Sequence, residues 1–235
     1  MKHIVSFSGG KDSTAMLLRM LEENMTIDEI IFCSTGKDFP DMLNHIEKVE
    51  IYIKEKYNKT ITILQSEKTF EYFMFEHIKT KGKNKGQAGY GWPSMRVRWC
   101  TTYLKTVVLD KYLKKYKEEG YIEYVGIAYD EQERIKDKKY PLIEWQMTEK
   151  DCLQYCYDRG FDWNGLYEHF DRVSCWCCPL KNQKELTILW QYYPDLWEQL
   201  KEMDKKTYNY FKPPTWKVEG LEQKFISKEL KKKKK

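Results

Sequence analysis

The sequence contains no apolar run that approaches about 18 residues, the length that a membrane-spanning helix requires. Strand-like sequence already begins at His3, so we expect no N-terminal signal peptide. We find no internal repeat and no linker that would separate two independent domains. Seven cysteines, an odd number, without an export signal are typical of a reducing cytosol, where thiols bind metals or act in catalysis. These features predict a cytoplasmic protein that does not use a membrane.

The sequence also has little net charge outside its C-terminus. Lys and Arg outnumber Asp and Glu by 41 to 36, and the five lysines at positions 231–235 account for the whole excess. The balanced remainder weakens any inference of nucleic-acid binding from net charge. An aromatic content of 15% argues against a disordered chain. Only residues 231–235 are predicted to form a disordered tail.

The densest group of functional residues follows the first predicted strand. Residues 4–7 form a short apolar run and residues 14–21 are typical of a helix, so the segment between them is a strand-to-helix turn. Glycines let such a turn approach an oxyanion, and the first N–H groups of the helix point at it. A lysine and two hydroxyls add charge and donors, which suits a polyphosphate. The turn consists of Ser8, Gly9, Gly10, Lys11, Asp12 and Ser13.

Strands and helices alternate over the first half of the chain. Further strands are predicted at residues 29–34, 61–64 and 121–128, with a helix beginning at Pro40. This alternation predicts parallel βαβ units, whose ligands gather at the carboxyl ends of the strands. Residues 8–13 and 35–40 both follow strands, so we expect them to face one crevice. From residue 186 onward, apolar and aromatic residues at helical spacing predict a helical C-terminal extension.

Residues 79–95 are rich in lysine and glycine and show no periodicity. One interpretation is a mobile surface loop. The other is a lid, or a loop that contacts a polyanion, because the segment leads directly into the basic residues 96–100. The sequence does not decide between them.

Three cysteines occur within four residues, at positions 175, 177 and 178. Such a group is uncommon in a cytosolic protein unless it binds a metal, because exposed thiols oxidise. The spacing of Cys175 and Cys178 lets two sulfurs reach one metal, and Cys100 is the candidate for a further ligand. Zinc and a [4Fe–4S] cluster both fit this pattern, with Cys177 either a ligand or not.

Taken together, the motifs resemble those of the phosphoadenosine phosphosulfate (PAPS) reductase family in its broad sense, over residues 3–180. The first turn resembles the pyrophosphate loop, SGGKDS, of the adenine-nucleotide α-hydrolase superfamily. It is not a Walker A loop, because Asp12 follows Gly10-Lys11. The other matching segments follow in the family's order. They are residues 35–41 (TGxxFPE), 98–100 with Lys105 (RxC…K), 126–131 with Arg134 (GxRxDE…R), 141–145 (PLxxW) and 172–179 (RxGCWxCP).

The resemblance implies a Rossmann-like α/β fold: a parallel sheet flanked by helices in a nucleotide-binding domain of residues 1–180, with a helical extension, residues 181–230, packed on it. It also implies an adenine nucleotide, either ATP or the sulfonucleotides APS and PAPS, together with Mg²⁺. The implied nucleotide-binding residues are Ser8, Gly9, Gly10, Lys11, Asp12, Ser13, Thr35, Gly36 and Gly126. The implied catalytic residues are Lys11, Asp12, Arg98, Lys105 and Arg134. The implied ligands of the cluster or zinc are Cys100, Cys175, Cys177 and Cys178.

The motifs leave the reaction open. Assimilatory reductases of this family attack with a cysteine in a C-terminal Glu-Cys-Gly segment, whereas the last cysteine here is Cys178. The Gly-Lys-Asp-Ser form of the loop resembles ATP-cleaving relatives, which favours adenylation of a substrate with pyrophosphate release during sulfur transfer. The alternatives are a reductase that releases sulfite from APS or PAPS, and a nucleotide-binding subunit without catalysis. A sulfur-donor or reductant protein, a nucleic-acid substrate and a second copy in a homodimer stay open as partners.

Overall fold

The computed structural model describes residues 1–173, 175–212, 214 and 216–233. Ser174 of the cysteine motif, and Lys234 and Lys235 of the predicted tail, lie outside the described residues. The chain divides into two compact units. The first unit comprises residues 1–34, 38–66 and 105–174, and the second comprises residues 35–37, 67–104 and 175–235. The predicted domain boundary at residue 180 does not match this division, because residues 67–104 belong with the C-terminal helices.

A parallel sheet forms the centre of the first unit, with the strand order β3-β2-β1-β4. Its strands are β1 (Lys2–Ser6), β2 (Glu29–Ser34), β3 (Ile61–Gln65) and β4 (Tyr121–Val125). Ser6, the last residue of β1, pairs with Ile31 on one side and Val125 on the other. The carboxyl ends of β1 and β4 therefore lie side by side. The predicted Rossmann-like α/β fold, a parallel sheet flanked by helices, is confirmed.

Helices follow the strands and continue to the end of the described chain. In chain order they are α1 (Lys11–Glu22), α2 (Pro40–Tyr57), α3 (Trp99–Thr101), α4 (Val107–Leu113), α5 (Pro141–Glu144), α6 (Glu149–Tyr157), α7 (Leu166–His169), α8 (Gln183–Tyr192), α9 (Pro194–Lys205) and α10 (Val218–Lys233). Within the described part of the chain, no helix combines the length and the apolar character needed to cross a membrane. Helix α10 extends to Lys233, past residue 231 where the sequence predicted a disordered tail.

Helix α1 is buried on nearly all sides. Its residues from Ser13 to Leu18 are all buried, and the helix packs against α5 and α6. A helix that is apolar around most of its circumference belongs in the interior of a domain. Because α1 is fixed in the core, the turn that precedes it has a defined position at the end of β1.

The second unit is held together by a buried carboxylate on α9. Asp204 is 3% exposed and accepts hydrogen bonds from Trp92 Nε1 and from the backbone N–H of Val218, each at 2.7 Å. The Trp92 ring also meets the Phe211 ring edge-on, with centroids 4.9 Å apart. Residues near position 92 are thereby fixed to the C-terminal helices, which explains why the unit boundary differs from the predicted one.

We predict that Asp204→Ala destabilises the protein. The substitution leaves two buried donors unsatisfied, each at a cost of about 1–3 kcal/mol, so the free energy of unfolding should fall by about 2–6 kcal/mol. Chemical denaturation followed by tryptophan fluorescence measures this loss. Glu202→Ala, at an exposed position of the same helix, is the control and should leave the midpoint unchanged. Equal midpoints for the two variants would contradict the assigned role of Asp204.

Candidate functional site

The strand-to-helix turn after β1 is built to leave helix N–H groups available. Gly9 has a φ of +77°, and a Cβ at this position would lie 2.6 Å from Met42 Sδ, so a side chain is excluded. The carbonyl of Gly9 accepts a 2.7 Å hydrogen bond from Trp163 Nε1, which fixes the turn. The first backbone hydrogen bond inside α1 runs from Thr14 to Gly10. The N–H groups before Thr14 therefore have no partner within the helix, and such N–H groups are the ones that can bind an anion.

One of those N–H groups is occupied by a protein hydroxyl. The backbone N–H of Lys11 donates to the Tyr167 hydroxyl at 2.8 Å. Burial raises the pKa of Tyr167 far above its ordinary value, so this oxygen is a neutral hydroxyl. A neutral oxygen thus lies where the turn offers a donor to an anion.

A cleft of about 320 Å³ opens between the ends of β1 and β4, where the strand order reverses. Ligands of parallel α/β sheets bind at this position. A Cβ on Gly126 would lie 2.8 Å from the Ser13 backbone, so only glycine lets the loop after β4 approach α1 this closely. The cleft brings together five of the predicted site residues: Ser8, Ser13, Lys105, Gly126 and Arg134.

Three carboxylates meet beside the start of α1. Asp12, Glu131 and Glu149 each place an oxygen within 4.8 Å of the other two. Among the described residues, the buried Oδ1 atom of Asp12 has no hydrogen-bond partner. Carboxylate oxygens are the ligands that Mg²⁺ prefers, and an oxygen without a hydrogen-bond donor is free to bind one. This group of carboxylates fits a divalent cation.

The Lys11 ammonium neutralises part of this carboxylate group. Its Nζ lies 2.8 Å from Glu149 Oε2 and 3.6 Å from Asp12 Oδ1, and its side chain is only 6% exposed. The sequence predicts that Lys11 contacts phosphate, and in this structure its ammonium contacts carboxylates. A divalent cation and the Lys11 ammonium would compete for the same oxygens.

Two arginines complete the charge balance of the carboxylate group. Arg172 lies 3.3 Å from Glu149 and also forms an ion pair with Glu131, which is 6% exposed. Arg134 pairs with the same Glu131 carboxylate. Both arginine side chains are about half exposed, at 47% for Arg134 and 60% for Arg172, so they can also reach an incoming anion.

Sequence reasoning identified Asp12 but missed three members of this group. Glu131 and Arg172 lie inside segments that resemble family motifs, so a signal for them was present. The sequence contains no such signal for Glu149. It is the first residue of α6, directly after the helix-capping residue Thr148, where an acidic residue is expected for the helix alone. Its role depends on the contact between α1 and α6, which the sequence does not reveal.

The predicted thiols and several other predicted residues lie in the second unit. They are Thr35, Gly36, Arg98, Cys100, Cys175, Cys177 and Cys178. The Thr35 hydroxyl and the Cys175 sulfur are 3.2 Å apart. The backbone N–H of Cys178 donates to the carbonyl of Cys175 at 3.2 Å, which closes a turn across the C-x-x-C pair.

The thiols influence one another and lie among lysines. Burial raises the pKa of Cys100, and the neighbouring Cys178 raises it further. Burial, together with Cys175, raises the pKa of Cys177 well above its usual range, whereas Lys37 lowers it. Burial therefore favours the neutral thiol in both residues, and Lys37 offsets only part of this effect at Cys177. Among the described residues, no three of these sulfurs lie within 4.8 Å of one another, so the thiols do not surround a position for a single metal ion.

The strand order, the turn before α1 and the cleft beside β4 define an α/β protein of the Rossmann type. Residues 2–181 match the family model of the phosphoadenosine phosphosulfate reductase domain. The chain belongs to this family, as its motifs predicted.

Two relatives from Methanocaldococcus jannaschii are similar over most of the chain. The uncharacterized protein MJ0973 is 28% identical over 216 residues, which cover 86% of this chain and 47% of the relative. The uncharacterized protein MJ0066 is 28% identical over 211 residues, which cover 83% of this chain and 40% of the relative. The chain therefore spans less than half the length of these relatives.

Two solved structures match the chain in a structural comparison. A phosphoadenylyl-sulfate (PAPS) reductase from Candida auris, in a phosphate complex, has a TM-score of 0.51 and 16% identity, covering 75% of this chain and 82% of its own. The U34-tRNA thiolase NcsA from Methanococcus maripaludis, with its [4Fe–4S] cluster, has a TM-score of 0.43 and 15% identity. The match covers 96% of this chain and 73% of the thiolase chain. The reductase likeness supports the fold alone.

The pKa of Asp12 makes a prediction about stability. Burial raises this pKa from 3.8 to about 6, partly offset by Lys11. The folded state therefore holds a proton that the unfolded state has lost between pH 4 and 6, and Asp12 lowers stability as pH rises through this window. Asp12→Asn should raise the free energy of unfolding at pH 7 by about 2–3 kcal/mol, with no difference near pH 3. Denaturation of both proteins from pH 3 to 8 measures this, and a pH-independent difference would contradict it.

The competition between Lys11 and a divalent cation makes a second prediction. Lys11→Met removes a unit charge within 4 Å of two carboxylates, so Mg²⁺ should bind at least about tenfold more tightly than to the wild type. Glu149→Gln should weaken binding, and Glu47→Gln, at an exposed position on α2, is the control. Isothermal titration with MgCl₂ in the absence of nucleotide measures the affinities. Weaker Mg²⁺ binding by Lys11→Met would rule out this competition.

Proposed function

We propose that this protein cleaves ATP between the α- and β-phosphates and adenylates a substrate oxygen, as the first half of a sulfur transfer. One observation carries the proposal: a turn suited to phosphate lies directly beside three carboxylates that fit Mg²⁺. Enzymes that transfer groups from ATP combine these two elements, because the metal neutralises the phosphates that the backbone holds. A sulfonucleotide lacks the β,γ-diphosphate that such a pair of elements suits.

Different residues of the first unit bind the polyphosphate and stabilise the charge that develops in this reaction. N–H groups of the turn, with the Ser8 and Ser13 hydroxyls, bind the polyphosphate. Lys105 and Arg134 line the cleft and stabilise negative charge on the α-phosphate as it is attacked. A bond forms between the substrate oxygen and the α-phosphorus, while the bond to the β-phosphate oxygen breaks and its electron pair leaves with pyrophosphate. The product is an adenylated substrate.

Mg²⁺ would be held by the carboxylates of Asp12, Glu131 and Glu149. When bound, it would offset the negative charge that the leaving pyrophosphate acquires. Arg172, already paired with two of these carboxylates, is placed to keep them in position. When no metal is bound, the Lys11 ammonium pairs with Asp12 and Glu149 and neutralises part of their charge.

The thiols of the second unit supply the sulfur side of the proposal. Cys100, Cys175 and Cys178 would hold a [4Fe–4S] cluster, with Cys177 buried beside them and Arg98 nearby in the sequence. When bound by these three thiols, a cluster would supply an iron site that can accept sulfur. Zinc bound by the same thiols would instead make the site structural. A sulfur donor then displaces AMP from the activated substrate.

A ligand panel tests the proposal directly. Anaerobically purified protein is heated with ATP, APS, PAPS or AMP in the presence of Mg²⁺, because a ligand that binds only the folded state raises the midpoint. We expect ATP to give the largest shift, and Lys105→Met to reduce it by several degrees. Lys114→Met, on an exposed lysine of the same unit, is the matched control and should behave like the wild type.

The same preparation shows which reaction the protein catalyses and which metal its thiols bind. Candidate acceptors with an oxygen next to an electrophilic carbon should promote release of AMP and pyrophosphate in equal amounts. Formation of ADP, or of sulfite from PAPS, would overturn the proposal and in the second case favour a reductase. Iron and acid-labile sulfide in the protein support the cluster, whereas stoichiometric zinc excludes it.

A further inference from the structure

The second unit contains a long segment without negative charge. Residues 77–104 include no Asp or Glu. They include six basic residues: Lys79, Lys81, Lys83, Lys85, Arg96 and Arg98. Within the described chain, none of the six forms an ion pair. The near-neutral charge of the whole protein therefore conceals a concentrated and unneutralised positive surface.

This segment lines a large cleft inside the second unit. The cleft has a volume of about 740 Å³, in the upper part of the range of ligand-binding pockets, about 300–1,000 Å³. Lysines 79, 81 and 83 form part of its wall. Aromatic rings form another part, contributed by Tyr90, Trp92, Tyr103 and Tyr208. No carboxylate is found among the described residues that line the cleft.

The aromatic wall is an ordered stack of rings. Tyr90 stacks on His77 at 5.0 Å and on Tyr103 at 5.8 Å, with the planes about 20° apart. Tyr103 in turn stacks on Phe73 at 4.9 Å, with the planes 5° apart. The rings are thus held nearly parallel, an arrangement that extends readily to a further planar group.

The exposed ring of Tyr208 is fixed at the edge of the cleft. It is 62% exposed, yet its hydroxyl donates to the carbonyl of Tyr90 at 2.8 Å and accepts from Lys79 Nζ at 2.9 Å. The neighbouring Asn209 side chain pairs with both backbone groups of Trp92, at 2.8 and 3.0 Å. An exposed aromatic side chain held in one position loses little entropy when a ligand stacks on it.

We propose that this cleft binds single-stranded nucleic acid. Lysines on the segment 79–85 contact successive phosphates, and unpaired bases stack on Tyr208 and the adjoining rings. Lysines that follow a backbone, combined with aromatic rings that accept any base, are the features by which proteins bind single strands. A small anion has no use for the rings, and a duplex keeps its base faces covered. The proposal does not depend on the reaction proposed above, because binding needs no ATP.

Fluorescence anisotropy tests the proposal. The full chain is titrated into labelled 12-nucleotide oligo(U) or oligo(dT), with no ATP and no Mg²⁺ in the buffer. The triple variant Lys81→Gln, Lys83→Gln, Lys85→Gln should bind at least tenfold more weakly. Its slope of log affinity against log salt should be shallower by about 2, since each phosphate contact to a single strand contributes about 0.7. The matched control is Lys114→Gln, Lys117→Gln, Lys150→Gln, which makes the same charge change on exposed lysines of the first unit and should retain wild-type affinity.

A pair of substitutions at Tyr208 separates stacking from charge. Tyr208→Phe and Tyr208→Leu both remove the hydroxyl, but only the first keeps the ring. Stacking of one base is worth about fivefold or more in affinity, so the Leu variant should bind at least fivefold more weakly than the Phe variant. Thermal unfolding of both variants verifies that they are folded to the same extent.

Each result either supports or overturns the proposal. Tight binding of either oligonucleotide with the expected variant effects supports it, and the preference between them identifies RNA or DNA as the source. Equal binding of a blunt 12-base-pair duplex, equal losses in the two triple-lysine variants, or equal affinities of the Phe and Leu variants would overturn it. Loss of ATP binding in the earlier test leaves this result unaffected, so the two proposals fail separately.

Discussion

The first unit depends on a balance of charge at the amino end of α1. Three carboxylates and three cations meet there in partly buried positions. They are Asp12, Glu131 and Glu149 on one side, and Lys11, Arg134 and Arg172 on the other. A carboxylate buried without a partner would take up a proton, and the raised pKa of Asp12 shows how near this group is to that limit. The balance holds the three carboxylates in place without a metal, and under the proposed function a bound divalent cation would take over charge that Lys11 now neutralises.

The sheet supplies the frame that makes this charge balance useful. β1 lies between β2 and β4, so the turn that follows β1 is next to the point where the strand order reverses. Gly126 then lets the loop after β4 come within contact distance of α1. The positions of the glycine turn, the carboxylates and the cleft thus follow from one strand order and from the absence of a side chain at Gly126.

The sequence was sufficient for the parts of the site that depend on local pattern. The turn at residues 8–13, the strand before it and the helix after it are contiguous, and their chemistry is readable from neighbouring residues. The orientation of Lys11 was not predictable, because its partner Glu149 is 138 positions away and comes beside it only when α6 packs on α1. The division into units was missed for the same reason: Trp92 and Asp204 are 112 positions apart, and their hydrogen bond joins segments that a linear boundary separates.

The hydroxyl of Tyr167 has a consequence for how the first turn accepts a ligand. Because it already receives the backbone N–H of Lys11, the ligand-free protein does not expose that donor to bulk solvent. Under the proposed function, an arriving phosphate oxygen would replace one oxygen acceptor with another, and the Tyr167 side chain would have to move aside for it to do so. Phosphate binding at this turn would then be an exchange between two acceptors, in which the tyrosine is the group displaced.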